Sequence, residues 1–124
     1  MRPYHLLAGL EDVYLEDSYV LDIEAHVTDI RITVQAVLTE SHPQYTGRKP
    51  GKQHCYRKVV LLFEGFGSYT FQANARSRSI DPDGTVDYQN VDAFTWDESG
   101  FALEGSWGSL RTDGGTVSVV LLPV

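Results

Sequence analysis

Asp29-Ile30-Arg31-Ile32-Thr33-Val34-Gln35-Ala36-Val37-Leu38 decides the architecture. Ile30, Ile32, Val34, Ala36 and Leu38 fall on every second position, with Asp29, Arg31, Thr33 and Gln35 between them. Side chains alternate across a strand, so this spacing predicts a half-buried antiparallel strand with one face in a core. Upstream, Tyr19-Val20-Leu21-Asp22-Ile23-Glu24-Ala25 alternates too, which places Tyr19, Leu21, Ile23 and Ala25 on one face. His26-Val27-Thr28 between the two segments reads as a hairpin or a bulged bend.

The same period governs the rest of the chain. Residues 40–54 carry Pro43, Gly47, Pro50 and Gly51 among polar and basic neighbours and read as a loop. Tyr56 to Phe66 reads as a strand. Its run Val59 to Phe63 is apolar on both faces, which predicts a central strand covered on both sides. Gly65 and Gly67 suggest a turn or bulge before a separate alternating segment, Tyr69 to Ala75. Asp81-Pro82-Asp83-Gly84 is a turn, followed by short strands at Thr85 to Tyr88 and Val91 to Trp96. Asp97-Glu98-Ser99-Gly100 and Asp113-Gly114-Gly115 are read as turns flanking Phe101 to Trp107 and leading into a last strand, Thr116 to Leu122.

Seven or eight such strands make an all-β, mainly antiparallel barrel or sandwich. Helix is scarce: Leu6, Leu7, Leu10, Val13 and Tyr14 have the spacing of one short N-terminal helix. With 124 residues and neither repeat nor linker, residues 1–124 are expected to form a single domain. An apolar fraction of 42% and a charged fraction of 22% exclude a wholly disordered or fibrous chain. The longest pure apolar run, Val59 to Phe63, is far short of a membrane-spanning helix. The apolar part of the N-terminal segment is too short for a secretory signal. A single cysteine, Cys55, forms no internal disulfide, so a cytoplasmic location is expected.

The net charge is −7, and it is unevenly spread. Arg48, Lys49, Lys52, Arg57 and Lys58 form a basic window without an acid. Residues 11–29 and 81–104 contain acids and no Lys or Arg. An acidic balance argues against nucleic acid as the main partner, because phosphate binding needs a basic footprint. It suits a face that steers a basic protein.

Signals for catalysis and metal binding are weak. Set on a calcium loop with Gly84 at its sixth position, Asp81-Pro82-Asp83-Gly84 puts Asn90 where the closing acid belongs. His54 and Cys55 are adjacent, so on a strand they point to opposite faces and form no dyad. His5, His26, His42 and His54 show no zinc-ligand spacing with Cys55. Glu11-Asp12 and Glu16-Asp17 invite a glycosidase reading, but paired acids are common in an acidic chain. No phosphate-binding glycine loop, dinucleotide fingerprint or nucleophile elbow is present. Tyr45 and Tyr56 flank the basic window and could stack on bases. Trp96 and Trp107 read as core or rim packing. No cofactor and no enzymatic activity are expected.

Leu15-Glu16-Asp17-Ser18-Tyr19-Val20-Leu21, Pro50-Gly51 leading to Cys55-Tyr56-Arg57, Asp87-Tyr88-Gln89-Asn90-Val91-Asp92, and Leu103-Glu104-Gly105-Ser106-Trp107-Gly108 together resemble small uncharacterised bacterial all-β proteins. Some of these are similar to immunity proteins of polymorphic toxin systems. The resemblance implies a bacterial, cytoplasmic, non-enzymatic binder and carries over no site residues. The reading is therefore a non-catalytic protein-binding module that acts by occlusion through an acidic face, and the resemblance implies that it is of the immunity type. Asp81, Asp83, Asp87, Asp92, Glu16 and Asp17 are its binding candidates. The alternative is a small-ligand-binding β-barrel, its interior lined by aromatic residues.

Overall fold

A computed structural model describes residues 2–47, 55–73 and 91–123, together with the backbone of 79–80 and 86–87. The described residues form nine strands: β1 (Arg2–Pro3), β2 (Val13–Ala25), β3 (Asp29–Leu38), β4 (Cys55–Ala73), β5 (Ser79–Ile80), β6 (Val86–Asp87), β7 (Val91–Asp97), β8 (Gly100–Gly105) and β9 (Gly108–Leu121). Seven of them form one antiparallel sheet in the order β1-β7-β8-β9-β4-β3-β2, and β5 pairs with β6 separately.

The strand read first behaves as its spacing requires. Ile30, Ile32, Val34, Ala36 and Leu38 are all buried. They face the core beside Val59, Leu61 and Phe63 of β4, to which β3 is paired in unbroken register. β4 is central, between β3 and β9, with its inner face fully buried and its outward face only partly so. Outward, Val60 and Leu62 are half-buried, and Val120 beside Val60 is 46% exposed. The expectation of cover on both sides is corrected.

Of the turn or bulge expected at Gly65 and Gly67 the structure has the bulge, and the turn expected at Asp113-Gly114-Gly115 is a bend inside a strand. Gly65 and Gly67 interrupt no strand: β4 runs on to Ala73, and its register with β9 slips by one residue between Phe66 and Ser68. Asp113-Gly114-Gly115 likewise lies within β9. The two sites are level, since Phe66 pairs with Gly114. Gly65, Gly114 and Gly115 all take positive φ, and a Cβ on Gly115 would stand 2.6 Å from the Glu64 carbonyl oxygen. Glycine thus lets both strands turn sharply together.

The sheet consequently curls over its own inner face. Phe94 and Phe101, from β7 and β8, meet Phe63 of β4 at ring-centroid distances of 6.1 and 5.4 Å. β2 comes to lie against β7, yet the two are not paired, so the sheet stays open. Between barrel and sandwich, the described residues form one curled sheet around the core, with Tyr4, Leu10 and Trp107 from outside its strands packed into it. Among the described residues the sheet is not closed into a barrel.

The N-terminal segment is not an α-helix. A single 3₁₀ turn, Tyr4–Leu6, precedes β2, which already contains Val13 and Tyr14. Its apolar residues do not act as one stripe: Leu10 is buried, while Leu6 is 65% exposed.

The face assigned to β2 is also corrected. Val13, Leu15 and Val20 point inward and Tyr19 points out. Tyr14 pairs with Val37 and Tyr19 with Gln35, so three extra residues of β2 are looped out between them. A further slip between Val20 and Asp22 returns Ile23 to the inner face, opposite Ile32. The looped-out stretch is held by buried Ser18. Its hydroxyl donates to the Tyr14 carbonyl at 2.6 Å and accepts the Val37 N–H at 2.9 Å. Burying either backbone group unpaired would cost about 1–3 kcal/mol.

Candidate functional site: an acidic seam between strands 2, 6 and 7

The two acidic stretches of sequence approach each other where β2 lies against β6 and β7. On β2, Glu16 and Asp17 occupy the looped-out stretch. On β7, the register with β8 slips between Val91 and Ala93, which leaves Asp92 as the extra residue. Bulges re-aim side chains out of the strict alternation. They are what bring these carboxylates forward: Asp17 and Asp92 are exposed and Glu16 is half-buried. Asp87 belongs to β6, which adjoins β2; its backbone pairs with Ser79. Asp81 and Asp83, with the turn and calcium readings that involve them, lie outside the described residues, as do Arg48, Lys49 and Lys52 of the basic window.

Glu16 is fixed from below by Tyr4, a contact with no signature in the spacing of the sequence. The Tyr4 hydroxyl donates to the Glu16 carboxylate, 2.5 Å from Oε1 and 2.9 Å from Oε2, and accepts the N–H of Leu15 at 3.0 Å. Burial foremost, then the hydrogen bond to Glu16, pushes the Tyr4 phenol well above its ordinary value of 10.0. The sign of the linkage follows. Above pH 10 the unfolded chain ionises Tyr4 while the folded chain keeps it protonated, so the unfolded state binds fewer protons and stability falls as pH rises. Unfolding free energy is expected to drop by up to about 1.4 kcal/mol per pH unit above pH 10. Denaturant titrations of Tyr4→Phe should show a shallower fall; an identical slope would remove Tyr4 as its source.

Other members of the two stretches sit elsewhere. Asp29 pairs with Arg31 at 3.3 Å, and Glu24 lies 3.6 Å from His26. Asp97 caps the β7–β8 turn by accepting the Ser99 hydroxyl and N–H, which holds its carboxyl below the usual value. Glu11 accepts the Gly9 N–H at 2.7 Å. The acidic seam is thus smaller than the two sequence stretches.

Other chemistry does not assemble among the described residues. Cys55 is buried, 3.9 Å from the Thr46 hydroxyl. His5 bonds to the Val13 carbonyl and His42 accepts the Gln44 N–H, so neither is hydrogen-bonded to Cys55. Arg57 donates to the Leu122 carbonyl at 2.9 Å. Trp107 is buried and stacks on Phe71 at 6.1 Å, and Trp96 bonds to Pro3 and stacks under Arg2, in keeping with packing roles. Open clefts of about 290 Å³ beside Arg111 and about 450 Å³ beside His42 lie on the surface.

No protein family, curated protein or solved structure matches this chain.

Proposed function

We propose that this protein is a non-catalytic protein-binding module that uses the seam of β2, β6 and β7 to occlude a basic site on its partner. The observation that carries the reading is the meeting of two base-free acidic stretches at one seam, with Asp17 and Asp92 set forward on bulges. A face dominated by one sign of charge attracts a partner of the opposite sign and speeds their encounter. The partner is a basic protein, such as a nuclease-like toxin whose phosphate-binding site the acids cover. In that setting the module acts in the bacterial cytoplasm as an immunity protein.

The test starts from capture of the partner by cross-linking in the native host, followed by stopped-flow association with the purified pair. The rate constant is expected to fall steeply with added salt, because screening shortens the field to about 8 Å at physiological ionic strength. Asp87→Lys combined with Asp92→Lys should slow association by about tenfold or more while leaving the melting temperature within a few degrees. A rate indifferent to salt and to both reversals would eliminate the seam as the binding surface.

A further inference from the structure

We propose that the outward face of β7, β8 and β9 carries a binding site for a small zwitterion of the α-amino acid class, held between the Arg111 guanidinium and the carboxylates of Asp113 and Asp97. The proposal does not depend on the seam reading.

Register builds the site. Along one row of the sheet, Arg111 of β9 pairs with Ala102 of β8, and Ala102 pairs with Thr95 of β7. Two residues along, Asp97 of β7 pairs with Gly100 of β8, and Asp113 follows Arg111 on the exposed side of β9. Side chains alternate along each strand, so this face is the one opposite Phe101, Leu103 and Leu110 of the core. The middle strand therefore offers only Ala102 and Gly100 as a floor. Gly100 is bare of necessity, since a Cβ there would collide with the Thr112 carbonyl oxygen. Two small residues between taller neighbours leave the open cleft of about 290 Å³ beside Arg111. That volume is at the lower end of the range for small-molecule sites. Both walls are hydrogen-bonded to the floor strand, so the sheet itself fixes their spacing.

Charge selects the occupant. Arg111 and Asp113 are exposed, and among the described residues neither makes a hydrogen bond or an ion pair. The rise of a strand sets their Cα atoms about 7 Å apart on one side of the cleft. Glu104, one row beyond Ala102 and also exposed, leaves Arg111 unpaired as well. Asp97 faces Asp113 across Gly100, and its bonds from the Ser99 hydroxyl and N–H hold its carboxyl below the usual value and fix its position. A ligand lying over Ala102 and Gly100 thus meets a guanidinium at one end and two carboxylates at the other. The guanidinium suits a carboxylate, which it grips through parallel N–H donors, and the two acids suit an ammonium group. A plain anion meets repulsion from the acids, and a plain cation leaves Arg111 unused. A molecule with both charges a few atoms apart satisfies both ends. Because these charges are exposed, affinity is expected in the millimolar range.

The probes are L-alanine, propionate, ethylamine and glucose, titrated into the full chain at constant ionic strength and followed by backbone amide resonances in NMR. Alanine should shift the amides of Gly100, Ala102 and Arg111 saturably. Propionate and ethylamine each carry one of the two charges and should bind at least about fivefold more weakly. Glucose should shift nothing. Arg111→Gln and Asp113→Asn should each weaken alanine binding by about fivefold, the upper return of one exposed ion pair. Ala102→Leu raises the floor without touching a charge and should abolish the shifts. All three positions lie on the outward face, so the variants should melt close to the parent. Alanine and propionate bound equally, and both lost in Arg111→Gln, would reveal a simple anion site and overturn the proposal. Saturable shifts from glucose would reveal a site for hydroxyls and overturn it too. Shifts that survive all three substitutions are non-specific and leave no site on this face.

Discussion

Phe63→Ala is expected to lower the unfolding free energy by about 3–5 kcal/mol, a large part of the margin of about 5–15 kcal/mol that a domain possesses. Phe63 is fully buried where the curled sheet meets itself. Along the sheet it pairs with Ile30 and Val117; across the core it touches Phe94 and Phe101, the latter ring edge-on at 71°. Truncation opens a cavity that rigid strands on both sides cannot collapse to fill, so the transfer loss and the cavity penalty add. Urea titration should show a lower midpoint with an unchanged slope, since the folded shape persists. A double-mutant cycle with Phe101→Ala should return a coupling of about 0.5–1.5 kcal/mol, the contribution of the ring pair beyond buried area. Zero coupling would mean that the two halves do not meet through these rings.

Ile32→Ala should cost about 2–5 kcal/mol, whereas Thr33→Ala, one residue on, should cost no more than about 1 kcal/mol. The contrast is a register test. Ile32 is buried between Ile23 and Leu61, while Thr33 faces outward between Asp22 and Val60. A slip of one residue would exchange the two side chains and invert the order of the two losses. Equal losses would argue that β3 has no fixed inner face.

These two strands also show what a sequence can reveal. β3 was legible because it is regular: with no bulge, each side chain reports its face by parity alone. β2 was half legible. Its inward residues change from odd to even numbers between Leu15 and Val20, and that phase change is the visible trace of the looped-out stretch. A single alternation drawn from Tyr19 to Ala25 passed over the second slip at Leu21. Gly65, Gly67, Gly114 and Gly115 were visible as glycines, but a bend and a reversal use the same residue type. Only the pairing of β4 with β9 distinguishes them. At the site, the acidic stretches were legible as composition, and their approach depends on β2 meeting β7 across the curl. Tyr4 under Glu16 and the cleft over Gly100 and Ala102 are products of register. No short spacing announces them.

The open, curled sheet also dictates an order of assembly. β2, β3 and β4 can zip locally as each follows the last, but β4 then presents a bare edge with the apolar run Val59 to Phe63 behind it. Its second partner, β9, begins 35 residues after β4 ends, and β1 waits for β7, where Arg2 pairs with Trp96. Contacts of such long separation form late, because the loop-closing entropy is spent before they repay it. During synthesis the three-strand meander therefore emerges first, with a sticky flank exposed until the rest of the chain has left the ribosome. The risk of misassembly is concentrated in that interval. Chaperone demand should track the time needed to translate residues 74–121, and a pause placed there should lower soluble yield more than one placed before β2.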